Sequence, residues 1–117
     1  MDKEDIADEV GAWAELQRFL EPGEKVEAIV FGEWGYGGYN EPDPLPVPVE
    51  MVGKLLSAEE AKPFMKGWSF YGGYGAPNTY AVFVWTNKSV IWVHEYDGST
   101  TLRSAPRHPV DGEPYMI

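Results

Sequence analysis

Cysteine is absent from the 117-residue chain, which removes disulfides, thiolate nucleophiles, iron–sulfur clusters and cysteine zinc sites together. No apolar run approaches the roughly 18 residues of a membrane helix, and the N-terminus is acidic and amphipathic where a secretory leader would be basic and then apolar. The sequence therefore predicts a soluble, cytoplasmic protein with no membrane contact. Bases are few: nine Lys and Arg stand against 19 Asp and Glu, a formal charge of −10. A field of that sign opposes direct binding to nucleic acid and docking on anionic lipid. Histidine is scarcer still, since only His94 and His108 could act as acid or base near neutral pH. Neither lies in a Ser-His, Cys-His or His-Glu-x-x-His setting. The glycine runs lack both the Lys-Ser/Thr of a phosphate loop and the spacing of a dinucleotide fingerprint, and no Asp-x-Asp-x-Asp-Gly calcium loop occurs. No cofactor and no metal is expected.

What the chain does contain is apolar and aromatic. Hydrophobic residues make up 44% of it, with five Trp, seven Tyr and five Phe, enough for one domain over residues 1–117 to bury a core. The acids are concentrated: residues 1–60 carry 15 acids and four bases, net −11, whereas residues 61–117 are net +1. Ile6, Val10, Trp13, Leu16 and Leu20 step by three and four and share one face of a helix over about residues 3–20, with Asp5, Asp8, Glu9 and Glu15 elsewhere on it. Pro22-Gly23 ends that helix.

Lys25 to Trp34 reads as a strand rich in β-branched residues. Prolines at 42, 44, 46 and 48 then delete backbone donors at every second position, which predicts a stiff extended arm and not a central strand. Ser57-Ala-Glu-Glu60 has capping-box spacing ahead of a short helix over 58–65, with Pro63 counting against it. Thr79 to Thr86, Ser89 to Tyr96 and Thr100 to Ser104 are β-rich runs parted by Asn87-Lys88 and Asp97-Gly98, the signature of an antiparallel meander. The expected fold is α+β: an N-terminal amphipathic helix packed on an antiparallel β-meander of four to five strands, with Gly/aromatic and Pro-rich loops. Both strand faces are apolar, so both should be covered. Trp13, Val30, Phe83, Trp85, Ile91 and Val93 are the expected buried residues.

Candidate site residues fall into three sets. Two stretches share Tyr-Gly-Gly-Tyr, and there Trp34, Tyr36, Tyr39, Trp68, Tyr71 and Tyr74 combine close backbone approach with flat faces suited to gripping a protein or stacking a ligand. Packing against one another is the competing reading. Asp5, Asp8, Glu9 and Glu15 form an acidic helix surface able to present phosphate-like spacing to a basic groove. Arg103, Arg107 and His108 form a basic cluster that either binds an anion or, as the stronger expectation, pairs with the acidic half. Glu33 and Glu95 are candidate acid and base of glycosidase type, although strand-edge solubility charges explain them more simply. His94, between Trp92 and Tyr96 on its strand, reads as a packed residue.

Gly67-Trp-Ser-Phe-Tyr-Gly-Gly-Tyr-Gly-Ala-Pro77, Val84-Trp-Thr-Asn87, Tyr96-Asp-Gly-Ser-Thr100 and Pro106-Arg-His-Pro109 resemble a group of small uncharacterised proteins encoded in phage and prophage genomes. The likeness extends over roughly residues 25 to 110. It implies no fold or activity, only a phage-like context in which small acidic proteins act by binding host machinery. The resulting expectation is a small acidic non-enzymatic binding protein that engages a host protein as an accessory factor or defence antagonist, with homodimerisation left open. The alternative is a small-ligand module that stacks a nucleotide or glycan in an aromatic-glycine pocket.

Overall fold

Turn chemistry and alternating apolar residues divide the chain into short elements, and a computed structural model describes residues 11–35, 41–69, 79–96, 99–112 and 114. In order these are helix α1 (Gly11–Phe19), strand β1 (Val26–Trp34), a 3-10 turn (Val49–Met51), strand β2 (Leu56–Ser57), helix α2 (Ala58–Met65), and strands β3 (Tyr80–Thr86), β4 (Ser89–Tyr96) and β5 (Ser99–Pro106). All strand pairs are antiparallel in a five-stranded sheet of order β2-β1-β3-β4-β5. The fold is α+β, with β3 to β5 as the meander and β1 returning beside β3. Among the described residues no helix is long and apolar enough to cross a membrane.

Helix α2 starts where the sequence signals it. Ser57 Oγ accepts from the Glu60 amide at 3.1 Å, and the Ser57 amide donates to the Glu60 carboxylate at 2.8 Å, which closes the capping box. Pro63 does not end the helix. It is exposed, as is Glu59, so the carbonyl deprived of its donor can turn to water.

One face of the sheet carries the core. Ile29 and Phe31 of β1, Val82 and Val84 of β3 and Ile91 of β4 join Trp13 and Leu16 of α1 and Ala61 and Met65 of α2 in a single buried cluster. Both described helices therefore cover the same face, and among the described residues no helix lies on the other. The expected buried set is corrected. Trp13 and Ile91 are inside and Val93 packs partly buried against the cluster, but Phe83 is 54% exposed and Val30 and Trp85 are half-buried. In β3 the inward residues are Tyr80, Val82, Val84 and Thr86, one position out of step with the expected ones. The error is a choice of face: with period 2 and apolar residues on both sides, the pattern fixes the alternation but not its sign.

Two irregularities in β1 keep carboxylates out of this core. The pairing with β3 shifts between Val26 and Ala28 and again between Phe31 and Trp34. The second shift turns Trp34 inward and leaves Glu33 exposed, where strict alternation from Phe31 would bury the carboxylate. Strand β2, only two residues long and not expected from the sequence, pairs with the outer edge of β1 through Ala28↔Ser57 and Ile29↔Leu56.

The helices meet end to side. Gly11, at φ 72°, opens α1, and the next amide, that of Ala12, donates to the Trp68 carbonyl just past α2. A Cβ on Gly11 would lie 2.6 Å from that carbonyl oxygen and 3.0 Å from that of Met65. A right-handed helix cannot run through a residue in this conformation, so the expected single helix over 3–20 is interrupted at Gly11. Its residues 1–10, with Ile6 and Val10, lie outside the described residues. Lys62 Nζ sits 5.6 Å above the Trp13 ring and adds a cation–π contact between the helices.

This geometry separates two glycines that share a backbone conformation. Gly23 also has positive φ, 81°, but a methyl group on its Cα would meet nothing within 4 Å. Gly23→Ala should cost about 1 kcal/mol of left-handed strain, and Gly11→Ala about 3 kcal/mol because the helix junction must also open. Urea unfolding of the two variants measures the difference.

Candidate functional site

The two tryptophans that open the aromatic-glycine stretches, Trp34 and Trp68, meet inside the protein. Trp34 and Trp68 are 6% and 7% exposed, and their rings form an edge-to-face cluster with Phe31 and Tyr80. Centroid separations are 4.9 Å for Trp68–Tyr80, 5.1 Å for Trp34–Tyr80 and 6.2 Å for Trp34–Trp68. Phe64 of α2 completes it, 6.3 Å from Phe31. The Trp68 indole donates to Thr79 Oγ1 at 2.9 Å, and that hydroxyl donates to the Tyr80 carbonyl at 3.0 Å. These two tryptophans thus have the packed placement rather than that of ligand-stacking platforms. Tyr36, Tyr39, Tyr71 and Tyr74 lie outside the described residues.

The proline arm is anchored on the same cluster. Val47 is buried, and its amide donates to the Tyr80 hydroxyl at 3.3 Å while its carbonyl accepts from that hydroxyl at 3.4 Å. Pro46 fits against Gly67, where a Cβ would come within 2.7 Å of the proline ring. Burial pushes the Tyr80 phenol up from its ordinary value; the Val47 backbone bond opposes this and the charge of Glu41 adds to it. Between the arm and the end of β1 lies a groove of about 630 Å³. Its walls are Trp34, Leu45, Val47, Val49, Val52 and Tyr80, and it carries the carboxylates of Glu33 and Glu41. Glu95 is not part of this groove, and β3 stands between its strand and that of Glu33.

The opposite face of the sheet has no described helix on it. Its rows follow from the pairing: Ala28 beside Trp85 beside Val90 beside Ala105, and Val30 beside Phe83 beside Trp92 beside Arg103. His94 and Thr101 pair in the next row. Phe83 and Trp85 are 6.1 Å apart in a tilted arrangement. The result is an apolar, aromatic surface whose charged or titratable side chains in these rows are Arg103 and His94, both half-buried.

The other candidate charges are dispersed. Arg107 bonds through Nη1 to the Glu27 carboxylate and to the Thr86 carbonyl, the latter at 2.7 Å, so it is held by the acidic half. His108 is exposed beyond it, and Arg103 lies on the sheet face. Glu15 is half-buried on α1, while Asp5, Asp8 and Glu9 lie outside the described residues.

A polar corner beside Arg107 has no counterpart among the sequence motifs. The turn residue Asn87 accepts from the Lys25 amide at 2.8 Å and donates to the Gly23 carbonyl at 3.1 Å, which ties the β3–β4 turn to the α1–β1 loop. Thr86, fully buried, donates to the Glu24 carboxylate at 2.6 Å and accepts from the Ser89 amide at 2.8 Å. Burial alone would push the Glu24 carboxyl up, but the bonds from Thr86, the Glu21 backbone and Ser89, with the charge of Lys88, outweigh it and hold the group below its ordinary value. An Asn-Lys pair between strands signals a turn; its reach to a loop 62 positions away leaves no local trace.

No protein family, characterised protein or solved structure matches this chain.

Two outcomes follow. Trp34→Ala and Trp68→Ala should each lower the unfolding free energy by about 3–5 kcal/mol, because each removes a buried ring, and denaturant titration reads it. Glu24→Gln should cost about 1 kcal/mol near neutral pH. A carboxylate with a depressed folded value stabilises above the unfolded value and loses that contribution as pH falls. The gap between wild type and Glu24→Gln should therefore begin to close only as pH falls below 4.5, the ordinary value for this group, and narrow further in more acid solution.

Proposed function

We propose that this chain is a non-enzymatic binding protein that engages a host protein through the face of its sheet opposite the two described helices. The observation that carries the proposal is the position of Phe83, 54% exposed at the middle of a layer formed with Val30, Trp85, Val90 and Trp92. Aromatic residues and Arg, presented together on a regular backbone, are the composition of interface hot spots. Charge selects the partner's chemistry. In a chain of net −10, the rows around Phe83 bear Arg103 and His94, which suits a folded partner with an apolar patch and a carboxylate opposite Arg103.

The choice of a host protein as the partner class rests on the resemblance of the sequence motifs to phage-encoded proteins. In the finer form of the proposal the chain is a defence antagonist, and the net −11 first half steers encounter with a partner that also has a nucleic-acid-binding groove. For the nucleotide or glycan alternative, two of its six aromatics, Trp34 and Trp68, are engaged in the core cluster, and the other four lie outside the described residues.

Phe83→Lys tests this directly. At its exposure the change should move the unfolding free energy by less than about 1 kcal/mol, while retention of the host partner on immobilised protein falls at least about tenfold. Reversing Asp5, Asp8, Glu9 and Glu15 to Lys should alter the salt dependence of retention more than its strength at high salt. Unchanged retention by Phe83→Lys would overturn the assignment. So would a wild-type dimer in sedimentation that Phe83→Lys abolishes, since the face would then belong to a second copy.

A further inference from the structure

An Asp or Asn side chain can close on the backbone amide that follows it, provided that amide carries a hydrogen, is not engaged elsewhere and can swing onto the side chain. Among the described residues three positions bear such a side chain: Asp43, Asn87 and Asp111. Two of them are barred. Asp43 precedes Pro44, which has no amide hydrogen. Asn87 is held on both sides, since its side-chain oxygen accepts from the Lys25 amide at 2.8 Å and its side-chain nitrogen donates to the Gly23 carbonyl at 3.1 Å. The following amide, that of Lys88, is engaged as well, donating to Thr86 Oγ1 at 3.0 Å.

Asp111 meets every condition. It is followed by Gly112, both residues are exposed, and neither has a hydrogen bond or ion pair with any described residue. A Cβ on Gly112 would meet nothing within 4 Å, so neither a side chain there nor the surrounding protein hinders rotation of the backbone. Arg107 is the last described residue bonded to the body of the protein, through Glu27 and Thr86. Beyond it no ladder holds the chain.

We propose that the Asp111-Gly112 linkage is a site of spontaneous aspartyl isomerisation in the folded protein. The Gly112 amide nitrogen bonds to Cγ of Asp111, and one water leaves, made of a carboxyl oxygen, the amide hydrogen and one proton. The product is a cyclic imide, the succinimide. Water then adds at one of its two carbonyls. Opening at Cγ restores Asp, whereas opening at the former main-chain carbonyl leaves the chain running through Cγ, one atom longer, with the α-carboxylate as the side group. No oxidant or cofactor enters, and the net charge is unchanged. This chemistry does not depend on the partner assigned to the sheet face.

The test is to incubate the folded full chain at neutral pH in water enriched in oxygen-18, digest it in ordinary water and read the fragments by mass spectrometry. The tryptic segment His108–Ile117 contains a single Asp. It should gain one heavy oxygen for each ring that opens, and a protease that cuts before Asp but not before isoaspartate should lose its cut there in step. Gly112→Pro should take up no label, because the attacking nitrogen no longer carries a hydrogen. Asp43 and Asn87 should stay unlabelled in the folded chain. In guanidinium chloride Asn87 should begin to take up label, while Asp111 proceeds at its folded rate. Uptake at Asp111 that appears only in denaturant would overturn the proposal, as would undiminished uptake in Gly112→Pro.

Discussion

The cluster of Phe31, Trp34, Phe64, Trp68 and Tyr80 is the constraint on which the rest of the structure depends. Each edge-to-face ring pair contributes about 0.5–1.5 kcal/mol beyond the burial of its area, and these rings come from β1, α2, the segment after it and the start of β3. Such a cluster cannot form from a regularly alternating β1. It needs the register shift that brings Trp34 to the same side as Phe31, and that shift in turn keeps Glu33 in water. The arm is then fixed through Val47 on Tyr80, and α1 through its junction at Gly11 with the end of α2 and the residues that follow it.

Every described element outside the sheet is thereby committed to one side. The chain uses one set of aromatics to close its core and places another, Phe83, Trp85 and Trp92, on the sheet face that carries no described helix. A single helix-covered face is a common arrangement for an antiparallel sheet when the other face is polar. Here the other face is apolar, with Phe83 exposed and Val30, Trp85, Val90 and Trp92 half-buried around it. The groove arises from the same commitment, since it is the space left where the arm departs from the cluster.

Much of this is legible in the sequence, and the remainder is hidden for identifiable reasons. The α+β class, the three meander strands, the Asn87-Lys88 turn and the capping box of α2 are encoded locally, in residues a few positions apart, and the structure has them at or near the expected bounds. Which face of each strand is buried is a global choice between two apolar options. It is settled by where Trp34, Trp68 and Tyr80 can meet, and single-strand patterns carry no record of that meeting. The same holds for Gly11, whose left-handed conformation matters only because the carbonyls of Met65, Lys66 and Trp68 approach it. For the candidate site, the aromatic-glycine echo singles out Trp34 and Trp68 as special, but what it marks is their pairing in the core. The outward face leaves no such signal, because Phe83 and Trp85 satisfy the pattern of buried strand residues as well as their inward neighbours do.

The most direct measurement is the hydrogen exchange of the five tryptophan indole N–H groups, resolved by NMR. The account predicts that Trp68, buried and bonded to Thr79, exchanges slowest, that Trp13 and Trp34 are also protected, and that Trp85 and Trp92 exchange fast. Rapid exchange at Trp34 and Trp68 with protection at Trp85 and Trp92 would mean that the aromatics are sorted to the opposite faces, and both the core and the binding surface described above would be wrong.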